Sequence, residues 1–140
     1  LYYSIYHPIV LMTSSQCFFH QLTGCEKECI DAECTGSCSR SASLTNLKKT
    51  SFIIDKSLGA YNSIYANTHF LNTDIATDMP GKFSSLFIDL RDVKTETLAE
   101  LDKSKIIQLF ENHLSGSSES KQGLHQTIHP TNNTQYKKGL

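Results

Sequence analysis

Ser85-Leu86-Phe87-Ile88-Asp89-Leu90-Arg91-Asp92 is the stretch on which the fold reading turns. It is a short apolar run closed by charged residues. An apolar run that ends in a carboxylate is common for a buried parallel strand at its C-terminal end. A helix signal follows it. Thr97 and Glu100 stand at the spacing of a capping box. Leu98, Leu101, Ile106, Leu109, Phe110 and Leu114 recur near a 3.6-residue period and make one apolar face. Ser115-Gly116 supplies the stop. A strand followed by a helix over residues 85–114 is half of a β/α repeat, so the sequence predicts an α/β fold with one main C-terminal helix.

Upstream, Asn72 to Met79 reads as one or two helical turns, with Asn72 or Thr73 as N-cap and Pro80-Gly81 as the stop. Ser51 to Asp55 reads as a strand, Lys56 to Gly59 as a turn, and Tyr61 to Tyr65 as its hairpin partner. Leu1 to Met12 reads as two short extended pieces broken at His7-Pro8. Thr13 to Asn46 has little periodicity of either kind and reads as a long structured loop. Downstream, residues 117–140 are rich in Ser, Gln, Asn and Lys. They predict a polar, loosely ordered tail behind a body of residues 1–116.

Composition narrows the function classes. At 140 residues the chain has the size of one domain. Its net charge of −1 offers no basic footprint for nucleic acid. Pro8 to Met12, the longest apolar stretch near the start, is far too short to cross a bilayer. The chain begins with Leu and opens directly into strand-like sequence, which predicts a C-terminal fragment of a longer protein. No export signal is readable, so a reducing cytoplasm is the expected compartment.

The chemistry concentrates in one place. Five cysteines, Cys17, Cys25, Cys29, Cys34 and Cys38, fall within 22 residues, and the rest of the chain has none. Thiolates bunched this closely point to a metal centre or to disulfides. An odd count and a reducing compartment favour the metal. Cys25-x3-Cys29 and Cys34-x3-Cys38 would suit two hairpins of a zinc site, with Cys17 left over. Cys17, Cys25, Cys34 and Cys38 would suit an iron–sulfur cluster, with Cys29 left over. Spacing alone leaves both open.

These residues also resemble a known family. His7-Pro8-Ile9-Val10-Leu11-Met12 leading to Cys17, Gly24-Cys25, Tyr61-Asn62-Ser63-Ile64-Tyr65 and Phe87-Ile88-Asp89-Leu90-Arg91 resemble segments of the peptidase U32 family. Gln16 to Gln21, Ser41 to Asn46, Phe70 to Asp74 and the ending Gln135 to Leu140 are similar to its long bacterial branch, whose members include an enzyme of 5-hydroxycytidine synthesis in 23S ribosomal RNA.

The resemblance implies a TIM-like β/α protein, of which this chain would be the C-terminal portion, completed by the N-terminal remainder. It implies a [4Fe–4S] cluster on Cys17, Cys25, Cys34 and Cys38, with Cys29 spare. It further implies prephenate in the hydroxylation pathway and 23S rRNA as partner. Many relatives carry a cysteine just before the Tyr-Asn-x-Ile-Tyr segment, where this chain has Ala60. A structural tetrathiolate zinc module and a collagenase-like peptidase are the alternatives. For the latter, neither a G-x-S-x-G motif nor a Cys–His pair stands out.

Other residues weigh less. His20, three residues after Cys17, reads as a surface histidine before a ligand. Asp89 and Asp92 would be catalytic only at a barrel mouth, and read first as turn carboxylates. Arg91 reads as a solvated turn residue before a phosphate contact. His7, His69 and His113 read as ordinary, and His125 and His129 as weak candidates in a polar tail.

Overall fold

The computed structural model describes residues 1–22, 25, 34, 38–56 and 62–138. Among these the chain is a mixed α/β protein. Its strands are β1 (Tyr2–Ser14), β2 (Ser41–Thr45), β3 (Ser51–Asp55), β4 (Asn62–Leu71), β5 (Ser85–Ile88), β6 (Leu98–Ala99), β7 (Ile128–His129) and β8 (Thr131–Asn132). Its helices are α1 (Phe18–Leu22), α2 (Ile75–Asp78), α3 (Lys103–Leu114), α4 (Ser118–Thr127) and α5 (Thr134–Lys138). The chain divides into two compact units, residues 1–8, 68–92 and 96–140, and residues 9–67 and 93–95.

In the first unit, the start of β1 pairs in parallel with β5, from Tyr2 opposite Ser85 to Tyr6 opposite Ile88. The end of β4 pairs in parallel with β8 at His69 and Phe70. The core gathers Ile5, Tyr6, Leu71, Ile75, Ile106, Phe110, Leu124 and Ile128. Ile106 and Phe110 lie four apart on α3, and Leu124 and Ile128 repeat that interval at the end of α4, so each element turns one stripe inward. Asp102 caps α3 by accepting from the Lys105 amide at 3.0 Å, and Ser117 caps α4. Between the two helices, Gly116 has φ +98°, a left-handed turn open to glycine at little cost.

In the second unit, β2 and β3 pair antiparallel from Ser41–Asp55 to Thr45–Ser51, and β3 pairs antiparallel with the start of β4. One small core gathers Cys17, Phe18, Phe19 and Ile54, with Ala42, Leu44 and Ile64 packed against it. A second gathers Ile53, Tyr65 and Val93.

Several expectations meet the structure directly. Strand β3 covers Ser51–Asp55 as predicted, and its antiparallel partner runs on to Leu71. The strand at 85–88 is parallel, but it is not buried: Phe87 is 56% exposed. The chain does not break at His7-Pro8, because β1 is continuous from Tyr2 to Ser14. Pairing with β5 ends at Tyr6, so Pro8 lies beyond it and its missing N–H interrupts no bond on that side.

The main helix starts at Lys103 instead of Thr97. Leu98 and Ala99 form β6 against β7, and Thr97 donates its hydroxyl to the Pro130 carbonyl at 2.6 Å. The short helix begins after Asp74, not after Asn72 or Thr73, while Asn72 uses its Oδ1 to accept from the Asp74 amide.

The stretch 13–46, read as loop, carries α1 and β2. Residues 117–140, read as a tail, carry α4, β7, β8 and α5, and bury Leu124 and Ile128 completely. The composition there is polar because α4 offers only one stripe to the core. Of the predicted turn at 56–59 only Lys56 is among the described residues; Cys29 and Ala60 lie outside them. Among the described residues no helix is long and apolar enough to cross a membrane.

Candidate functional site

The cysteine segment belongs to the second unit. Phe18 and Phe19 bury the short α1, and that anchors Cys17 just before it. Cys17 accepts from the Gln21 amide through its carbonyl at 3.2 Å, and the Cys25 amide donates back to the Phe19 carbonyl at 3.2 Å. Cys17 and Cys34 are buried, and Cys25 and Cys38 are half-buried. Among the described residues no two cysteines are joined by a disulfide.

A cation stands at this site. Lys56 is only 2% exposed, and its Nζ donates to Cys17 Sγ at 3.7 Å. A buried amine is costly without a hydrogen-bond partner, and Cys17 Sγ supplies one. Asn62 is fully buried and donates its Nδ2 to the Gln16 carbonyl at 2.9 Å, which fixes the backbone just before Cys17. Its Oδ1 has no hydrogen-bond partner among the described residues.

The four predicted ligands have the donor chemistry of a tetrathiolate centre. Among the described residues no group of three or more His, Cys, Asp or Glu side chains is placed to hold a metal ion. His20 is exposed on α1.

A second cluster lies in the first unit and centres on β1. Ser4 Oγ and His7 Nδ1 are 2.7 Å apart. In a regular strand residues three apart point to opposite faces. Here the register with β5 slips between Ser4 and Tyr6, leaving Ile5 as an extra residue, and this bulge turns Ser4 and His7 to one side. The His7 ring stacks on Phe70, with centroids 4.9 Å apart. Both dyad residues open onto a cleft of about 420 Å³, lined also by Tyr3, Phe70, Gln135 and Tyr136.

Beside the dyad, Asp89 stands at the end of β5. Burial pushes its carboxyl up, but hydrogen bonds from the Arg91 side chain and amide, with the guanidinium charge, hold it below the usual range. Arg91 Nη2 lies 2.7 Å from Asp89 Oδ2. Burial lowers the proton affinity of His7, Asp89 works against that shift, and Arg91 adds to it. The ring is therefore neutral at pH 7, the form a general base needs.

Deeper in, Tyr6 Oη and His69 Nδ1 are 2.7 Å apart. Burial, then the Asp89 charge, pushes the Tyr6 hydroxyl up to about 12. Burial pushes His69 down to about 4.

The remaining histidines tie helices and loops. His113 Nε2 donates to the Thr73 carbonyl at 2.9 Å, His125 Nε2 is 2.9 Å from Thr73 Oγ1, and His129 Nε2 is 3.3 Å from Glu100. Asp92 is exposed. Sequence reading missed the Ser4–His7 pair because period-2 alternation separates them, and no residue pattern announces the bulge. It missed Lys56 because a lysine in a turn reads as solvated.

No family model, no curated protein and no solved structure matches this chain.

Proposed function

We propose that this chain is a thiolate metal-centre module, in which Cys17, Cys25, Cys34 and Cys38 ligate a [4Fe–4S] cluster. By the likeness of its sequence to the peptidase U32 family, it is the C-terminal portion of a TIM-like enzyme of 23S rRNA hydroxylation. The observation that carries the ligand set is the meeting of the cysteine spacing with one buried cation. Four cysteines of one compact unit include Cys17, against which Lys56 is buried at 3.7 Å. A cluster bound by four thiolates carries net negative charge, and a desolvated ammonium beside one ligand lowers the cost of holding it. The family, the RNA substrate and the use of prephenate rest on the quoted sequence segments alone, and the reading requires a reducing cytoplasm.

Protein purified without oxygen should be brown and carry iron and acid-labile sulfide in equal amounts. Cys34→Ser should remove the colour, and 5-hydroxycytidine should disappear from the 23S rRNA of cells that carry only that variant. Colourless protein with one zinc per chain overturns the cluster and leaves a tetrathiolate zinc module. Iron-loaded protein whose loss leaves 5-hydroxycytidine untouched overturns the RNA assignment.

A further inference from the structure

The Ser4–His7 pair lies outside the cysteine unit, and the metal-centre reading makes no use of it. Three features separate it from an ordinary surface hydrogen bond. The bulge at Ile5 brings the two side chains to one face, where strand alternation would part them. Bulges recur beside active sites because they re-aim side chains in this way. The contact of 2.7 Å is within the reach required between a nucleophile and its base. The pair also opens onto a cleft of about 420 Å³, large enough for a small organic molecule.

The cleft indicates what that molecule is. Its walls are the rings of Tyr3, Phe70 and Tyr136. The two tyrosine hydroxyls are already engaged: Tyr3 Oη accepts from Asn72 Nδ2 at 2.8 Å, and Tyr136 Oη donates to Asp78 Oδ2 at 2.6 Å. The rings therefore present apolar faces, which suit a flat ring. Polar chemistry in the cleft comes from Ser4, His7 and Gln135.

We propose that Ser4 is a nucleophile activated by His7, acting on small carboxylic esters whose alcohol part is an aromatic ring. Ser4 Oγ bonds to the carbonyl carbon while its proton passes to His7 Nδ1. The bond from that carbon to the aryl oxygen breaks, and the phenol leaves with the proton from His7. Water then attacks the acyl carbon, giving a proton to His7. Ser4 Oγ departs, recovers that proton, and the carboxylic acid is released. His7 is held for this role by Phe70, which fixes its ring plane, and it starts each cycle neutral.

The test uses p-nitrophenyl acetate with the whole chain. The wild-type protein should release p-nitrophenolate in a burst and carry one acetyl group on the peptide containing Ser4. Ser4→Ala should abolish both, with an unchanged circular dichroism spectrum. His7→Asn should slow acylation roughly 100-fold, in the range typical of a lost general base. A burst that survives in Ser4→Ala, or acetyl groups found only on lysines and tyrosines, overturns the proposal. Ser4→Ala decides the matter even if the His7 variant fails to fold, because Ser4 is half-buried and the substitution removes one oxygen. Metal content enters none of these readings, so the proposal can fail while the metal centre stands, and the reverse.

Discussion

At the scale of single residues, the first unit contains a histidine that is costly to protonate. His69 is 5% exposed, shares a 2.7 Å hydrogen bond with the Tyr6 hydroxyl, and has no partner for Nε2 among the described residues. A cation there would lose hydration without gaining a counter-charge in contact with it, so the ring holds its proton only near pH 4. The consequence for stability has a definite sign. Well above pH 6.5 the ring is neutral both folded and unfolded, and the group contributes no pH dependence. As pH falls from 6.5 to 4 the unfolded chain takes up a proton that the folded chain refuses, so stability drops, and below 4 the loss levels off. The full loss is on the order of 3 kcal/mol. His7 and His125 are also lowered by burial, so they add to the slope with the same sign. Urea midpoints from pH 7 to pH 4 should therefore fall steeply in the wild type and less steeply in His69→Gln. Equal slopes would mean that the Tyr6–His69 pair is solvated.

At the scale of elements, the helix pair α3–α4 offers a substitution with a predicted gain. Gly123 sits inside α4, where glycine costs about 1 kcal/mol relative to alanine. A methyl group built there meets only Leu109 Cδ2, at 3.5 Å, an ordinary contact. Gly123→Ala should raise the unfolding free energy by about 0.5–1 kcal/mol in urea titration; a loss would show that the two helices pack more tightly than this. The same elements show what was legible in the sequence. Strand β3 was readable because Phe52, Ile53 and Ile54 are short-range apolar signal, and the parallel nature of β5 was readable from the charged residues that close it. The start of α3 was not. Thr97 and Glu100 copy a capping box, but Thr97 hydrogen-bonds to Pro130, 33 residues away, and tertiary pairing of β6 with β7 overrides the local pattern. The site divides the same way. Cysteine spacing is a local signal and was visible. The Lys56–Cys17 contact spans 39 residues, and the Ser4–His7 face depends on where β5 slips its register, so neither has a local signature.

At the scale of the whole molecule, the first unit is assembled from distant parts of the chain. Residues 1–8 share it with residues 68–92 and 96–140, and one core holds Ile5 and Tyr6 together with Leu124 and Ile128. Composition makes residues 117–140 look dispensable, since α4 is polar around most of its surface. The packing argues the opposite. Leu124 and Ile128 are both fully buried, and deleting one buried side chain of this size typically costs about 2–5 kcal/mol. Two such losses are comparable to the entire stability of a small domain, about 5–15 kcal/mol. Truncation also removes the Lys121–Asp74 pair at 2.6 Å and the Tyr136–Asp78 hydrogen bond, which hold α2 from outside the core. A chain ending at Gly116 should therefore lose amide protection at Ile5, Tyr6, Ile106 and Phe110 in hydrogen exchange, and with it the near-ultraviolet signal of Tyr6. Leu124→Ala in the full chain should give a milder form of the same loss, lowering the urea midpoint while leaving the helix content near that of the wild type. Wild-type protection in the truncated chain would make α4 a peripheral attachment and restore the reading of a loose tail.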